Sequence, residues 1–137
     1  MTTPQVSRPM SPHLGIYRWQ ITMTLSILHR ATGVALSFAG LGILAWWLFA
    51  LASGPDAYGR FEAALNYRPF HIPLMLIVLI GLTWSFFQHL LSGIRHLVMD
   101  TGAAFELGTN KAFAILTIVG SLALTAAVWF YLLGVAK

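Results

Sequence analysis

The 137-residue sequence contains no cysteine, which excludes disulfides, thiolate metal ligation, covalent c-type haem attachment and an intrinsic iron–sulfur cluster. Any metal centre must then rest on histidine, of which there are five. Charge is also scarce. Only four residues are acidic and 9% of the chain is charged, against 58% hydrophobic, too little polar surface to cover a water-soluble domain. The eight basic residues give a net charge of +4 but are scattered over loops and tails without forming a dense stripe, so nucleic acid is not the expected partner. No basic stretch leads into a short apolar core and a small-residue cleavage site near the start, and the first apolar span is expected to direct insertion itself.

What the sequence does hold is apolar length. Tracts free of Asp, Glu, Lys and Arg run from Ala31 to Ser53, from Pro69 to Ile94 and from Ala112 to Ala136, each at least the ~20 residues that cross a hydrocarbon core. The expected fold is an all-α membrane protein: a cytoplasmic tail and interfacial segment over residues 1–21, then a three-helix transmembrane domain over 22–137, with spans near 22–52, 70–99 and 111–135. Pro4, Pro9 and Pro12 keep the tail extended. The first span, about thirty residues and ~45 Å long, exceeds the hydrocarbon, so its first turns and with them Ser26, His29 and Arg30 should lie in the interface. Ser53-Gly54-Pro55 stops it. Asp56 to Tyr67 reads as a short interfacial helix, with Tyr58, Phe61, Tyr67 and Phe70 at the headgroup level. The second span starts near His71, tolerates Pro73 in its first turn and ends at Asp100-Thr101-Gly102. The third starts near Lys111 and carries Trp129 and Tyr131 as an aromatic belt. Arg8, Arg18, Arg30, Arg95 and Lys111 against Arg60, Arg68 and Lys137 favour a cytoplasmic N-terminus and an outside C-terminus.

Two strings set ionisable residues at the margins of apolar helices, where they ordinarily face a partner, a cofactor or water: S-I-L-H-R-A-T-G at Ser26 to Gly33, and H-L-L-S-G-I-R-H-L-V-M-D at His89 to Asp100. Positions 89, 93 and 96 share a helix face, so a flat ligand could lie across His89, Gly93 and His96. A neutral His89 can ligate a metal, and haem iron takes such an axial ligand; one such histidine implies a second ligand from elsewhere. The alternative is a histidine that hydrogen-bonds across helices. Arg95 and His96 could neutralise haem propionates or simply snorkel to the headgroups. Ser26, His29 and Arg30 fall on one side of the first span as a donor cluster, and a hydroxyl with a fixed cation suits a quinone oxygen gathering charge on reduction. The alternative there is an arginine marking the cytoplasmic end of a span. Asp100 serves the helix end or pairs with Arg95 or Lys111, and His13 and His71 read as interfacial.

These strings, with R-P-M-S-P-H-L at Arg8 to Leu14, resemble the three ordered motifs of the cytochrome b membrane-anchor subunits of succinate dehydrogenase, respiratory complex II. The resemblance covers most of the chain. It implies that His89 is an axial ligand of a b-type haem shared with a second anchor subunit. It likewise implies that His29, Arg30, His96 and, less directly, Arg95 surround the haem propionates, and that Ser26 and Arg30 line a ubiquinone pocket completed by the partner anchor and an iron–sulfur subunit. A flavoprotein subunit would oxidise succinate. The chain alone would not be a whole enzyme. The location implied is a bacterial inner membrane, or alternatively the mitochondrial inner membrane. Two other classes stand beside this expectation: a haem-free structural anchor for a soluble dehydrogenase, and a small helical transporter or channel.

Overall fold

The structure is a computed structural model that describes residue 13 and residues 15–134; the expected extended tail, the Arg8 to Leu14 motif and Lys137 lie outside or at the edge of these. Every regular element among the described residues is helical. Helix α1 (Ile21–Ala35) passes through five residues of π-helix (Leu36–Gly40) into α2 (Leu41–Ala52), giving one continuous helical span of 32 residues. Helix α3 (Pro55–Leu65) follows, then α4 (Leu74–Asp100) and α5 (Leu107–Gly134), of 27 and 28 residues. At 1.5 Å per residue the three long helices measure roughly 40 to 48 Å, enough to cross a membrane.

Burial is inverted relative to a soluble protein. Among the described residues the buried ones are five apolar (Leu25, Ala50, Ala57, Phe61 and Ala114) and eight polar or charged, while Phe38, Leu97, Leu107 and Phe130 are largely exposed. A helix bundle that turns its leucines and phenylalanines outward and its small and polar residues inward is built for lipid, where helices associate through close packing and hydrogen bonds. The buried hydroxyls are satisfied mainly within their own helices: Thr32 donates to the Leu28 carbonyl at 2.7 Å, Thr117 to Phe113 at 2.8 Å and Thr125 to Ser121 at 2.8 Å.

Helix α1 packs against α4 and α5, and α4 packs along α5. A π turn places an extra residue in the helix and rotates the faces that follow, and beyond it α2 finds its partner in α3. The break between α2 and α3 falls at the expected Ser53-Gly54-Pro55, where Gly54 has φ 94° and Pro55 occupies the first turn of α3. Asp56 lies in that turn, where the helix dipole favours an acid. Phe61, expected at the headgroup level, does not present its ring to the surroundings. It is buried, edge-on to Trp46 with ring centroids 5.0 Å apart, because Ala57 and Phe61 one turn apart form the face that α3 sets on α2.

The two other span starts differ from expectation. Helix α4 begins at Leu74 rather than near His71, since Phe70 and His71 adopt φ of 53° and 65°, left-handed values that cannot continue into a right-handed helix, and Pro73 caps instead of entering. Helix α5 begins at Leu107, four residues before Lys111. Helix α4 ends as expected, with the Thr101 hydroxyl donating to the Val98 carbonyl at 2.7 Å and Gly102 at φ 84°.

Candidate functional site

The pairing of α1 with α4 brings three imidazoles together. The His29 ring stacks on the His89 ring, with centroids 3.9 Å apart and planes 8° from parallel, and lies 5.2 Å from the His96 ring. His89 is fixed through one nitrogen. Its Nδ1–H donates to the His29 carbonyl at 3.0 Å, with the Thr32 hydroxyl 3.3 Å away. A carbonyl can only accept, so Nδ1 carries the proton and Nε2 is left with its lone pair, the tautomer that binds a metal. A histidine whose second nitrogen is tied to a carbonyl is the usual arrangement of a metal-bound imidazole.

Helix α1 permits this approach only because residue 33 is glycine. A Cβ there would stand 3.0 Å from His89 Cε1 and 3.5 Å from Nδ1, inside ordinary van der Waals contact. Gly93, the glycine singled out from the sequence, has nothing within 4 Å of a Cβ. It opens the histidine face of α4 to the outside and does not seat another part of this chain.

His96 is exposed, and its Nδ1–H donates to the Ser92 carbonyl at 2.6 Å, so in the neutral ring Nε2 carries the lone pair. Among the described residues the buried His29 Nδ1 has no partner. Stacked rings do not converge on one point, and among the described residues no group of three His, Cys, Asp or Glu is arranged to enclose a bare metal ion. What the cluster fits is a planar metal macrocycle: a single braced donor at His89, open space over Gly93, and two further imidazoles with uncommitted nitrogens beside it.

The expected three-residue cluster on α1 divides in two. His29 turns inward to His89, whereas Ser26 and Arg30 are exposed on the adjoining face. There Arg30 Nη2 donates to Ser26 Oγ at 3.4 Å and Nε to the Ser26 carbonyl at 3.3 Å. The guanidinium occupies a lone pair of the serine, and among the described residues the hydroxyl hydrogen has no acceptor, so both groups present donors outward. Arg30 also lines an open groove of about 530 Å³ with Ile27, Ala31 and Val34.

Arg95 is separated from the other candidates. It neither snorkels nor joins the histidines: it is 7% exposed, lies on the α4 face that meets α5, and its Nη2 donates to the Asn110 side chain. The reason is helical phase, since Gln88, Ser92 and Arg95 share a stripe about 100° away from that of His89, Gly93 and His96. Thr32, Gly33 and Asn110 were not singled out from the sequence. A glycine four residues after His29 was the available signal for the first contact.

Residues 4–128 match the family described as "Succinate dehydrogenase/Fumarate reductase transmembrane subunit". The chain is similar to the succinate dehydrogenase cytochrome b556 subunit of Rickettsia felis, 42% identical over 122 residues that cover 89% of this chain and 90% of that protein. It is similar to the subunit of the same name from Paracoccus denitrificans, 36% identical over 118 residues and 86% of each chain. The mitochondrial succinate dehydrogenase cytochrome b560 subunit of Sus scrofa is 32% identical over 124 residues, 88% of this chain and 71% of that one.

Proposed function

Because the chain belongs to the succinate dehydrogenase/fumarate reductase transmembrane-subunit family, a family of membrane-anchor subunits of complex II, we propose that it holds a b-type haem jointly with a second anchor subunit and contributes part of a ubiquinone-reduction site. It is a multi-pass protein of the bacterial inner membrane. The observation that carries the haem reading is the hydrogen bond from His89 Nδ1 to the His29 carbonyl, which presents Nε2 as a ligand. The cytochrome b names of the relatives support it.

Residue by residue, the roles are these. His89 is the axial ligand, and the His29 carbonyl and Thr32 hold its ring in orientation. His29 and His96, with Arg30 at the edge of the cluster, are the donors available to propionates; Arg95 has the charge for that role but faces α5. The haem supplies a one-electron redox centre when bound. A second iron ligand would come from the partner anchor.

Ser26 and Arg30 act on the quinone. A head-group carbonyl oxygen gains negative charge as it is reduced, and the serine hydroxyl and guanidinium donate to it, stabilising the reduced oxygen more than the oxidised one. Electrons arrive from an iron–sulfur subunit, itself fed by a flavoprotein subunit that oxidises succinate. The N-terminus and the Asp100 to Leu107 loop then face the cytoplasm, on the side of those soluble partners. A reduced-minus-oxidised spectrum of the complex purified from membranes, with identification of the co-purifying chains, tests the reading: a low-spin b-type signal with a flavoprotein and an iron–sulfur protein is expected, and purification without either protein would refute it. A dehydrogenase complex lacking the b-type signal would leave only a haem-free anchor.

A further inference from the structure

Between α4 and α5 runs a second polar stripe that the proposed haem and quinone sites do not use. Gln88, Ser92 and Ser121 are each 0% exposed and Arg95 is 7% exposed, with Thr117 and Thr125 along the same seam. Among the described residues, three of these groups end without a protein partner: Gln88 Nε2, Ser92 Oγ and Arg95 Nε. They stand on successive turns of one face of α4, over seven residues or about 10 Å.

Turning the amide of Gln88 does not remove the deficit. Ser121 Oγ lies 2.7 Å from Gln88 Oε1 and 2.8 Å from the Ile118 carbonyl, but a hydroxyl has a single hydrogen to give. If that hydrogen goes to Ile118, the amide must be reversed so that its NH2 donates to Ser121, and the oxygen becomes the end without a partner. In either orientation one end of a wholly buried carboxamide is unmatched. The Arg95 guanidinium keeps its charge in any protein setting and has one neutral partner, Asn110, on Nη2. In hydrocarbon such groups are strongly unfavourable unless satisfied, and a buried site with two to four polar neighbours is where ordered water is held. A partner subunit cannot supply the missing bonds, because the stripe is closed between two helices of this chain. A cavity of about 180 Å³ has Arg95 and Thr117 on an otherwise apolar wall that includes Leu91 and Phe113.

We propose that the α4–α5 seam holds bound water that enters beside Arg95 and Thr117, hydrating the Arg95 guanidinium and hydrogen-bonding Ser92 and the free end of the Gln88 amide. This water hydrates a fixed cation on the α4 face that meets α5, apart from the proposed quinone groove on α1.

Hydroxyl-radical footprinting by brief X-ray exposure of the complex in lipid nanodiscs tests this, since bound water generates the label beside itself. Leu91, one turn below Arg95, should be labelled at least several-fold faster than the outward-facing Leu122 and Leu124 of α5. The double substitution Gln88→Leu with Ser92→Ala should lower the labelling of Leu91 at least several-fold. No labelling of Leu91 in the wild-type complex, or undiminished labelling in the double variant, would overturn the proposal. Should the double variant fail to assemble, a density map of the wild-type complex decides: solvent density within hydrogen-bond reach of Arg95 Nε and Ser92 Oγ upholds it, and both groups closed onto protein atoms refutes it.

Discussion

Replacing Gly33 by alanine should damage the His89 site while leaving the helix bundle intact. The added methyl would meet His89 Cε1 at 3.0 Å and Nδ1 at 3.5 Å, so the ring must retreat by roughly half an ångström to regain ordinary carbon–carbon contact. The 3.0 Å bond from Nδ1 to the His29 carbonyl then stretches towards the limit of a useful hydrogen bond. Loss of that bond costs about 1 kcal/mol, and alanine returns about 1 kcal/mol over glycine in a helix interior, so the two nearly cancel in overall stability. They do not cancel at the site, where disturbing the group that orients a metal-bound histidine lowers metal affinity by roughly 10–100-fold. Haem per anchor polypeptide, measured by pyridine haemochrome on the purified complex, should fall in Gly33→Ala and vanish in Gly33→Leu, with complex yield and melting temperature little changed in the alanine variant. Full haem occupancy and an unaltered spectrum in Gly33→Leu would refute the close approach of α1 to His89.

Ser26→Ala should remove one donor to the quinone, lowering quinone reduction several-fold while succinate oxidation by an artificial acceptor persists; an assembled variant with wild-type quinone reductase rate and affinity would end the proposed role. Arg30→Ala should do the same more strongly, with haem content measured alongside because Arg30 is also proposed as a donor to a haem propionate. His96→Ala should perturb the haem spectrum without abolishing it. Reporters fused after Lys137 should read as periplasmic and reporters within Thr101 to Asn110 as cytoplasmic; the reverse pattern would put Ser26 and Arg30 on the wrong side for a cytoplasmic iron–sulfur partner.

Three long helices were legible in the sequence because apolar length and the Ser53-Gly54-Pro55 and Asp100-Thr101-Gly102 breaks are local signals. The π turn at Leu36–Gly40 was not, since L-S-F-A-G has nothing in its composition that an ordinary helix would reject. The late start of α4 depends on Phe70 and His71 taking left-handed backbone angles, which their side chains do not announce. Within the site, helical spacing correctly grouped His89, Gly93 and His96 on one face of α4. It could not say which glycine accepts a neighbour, because Gly33 and Gly93 look alike until α1 is laid on α4 and only Gly33 faces a ring. Arg95 was read beside His96 because they are adjacent in sequence, yet adjacent residues diverge by about 100° on a helix. Asn110, from the next helix, is the partner that holds Arg95.

The central claim is the proposal that His89 Nε2 would hold haem iron together with a histidine from a second subunit. It is tested most directly by the visible and electron paramagnetic resonance spectra of the assembled His89→Ala complex, scaled to polypeptide. The low-spin bis-histidine signal should be lost while the complex still purifies and still passes electrons from succinate to an artificial acceptor. A near-normal haem content with an unchanged bis-histidine signature in that variant would contradict the claim and remove His89 from the site.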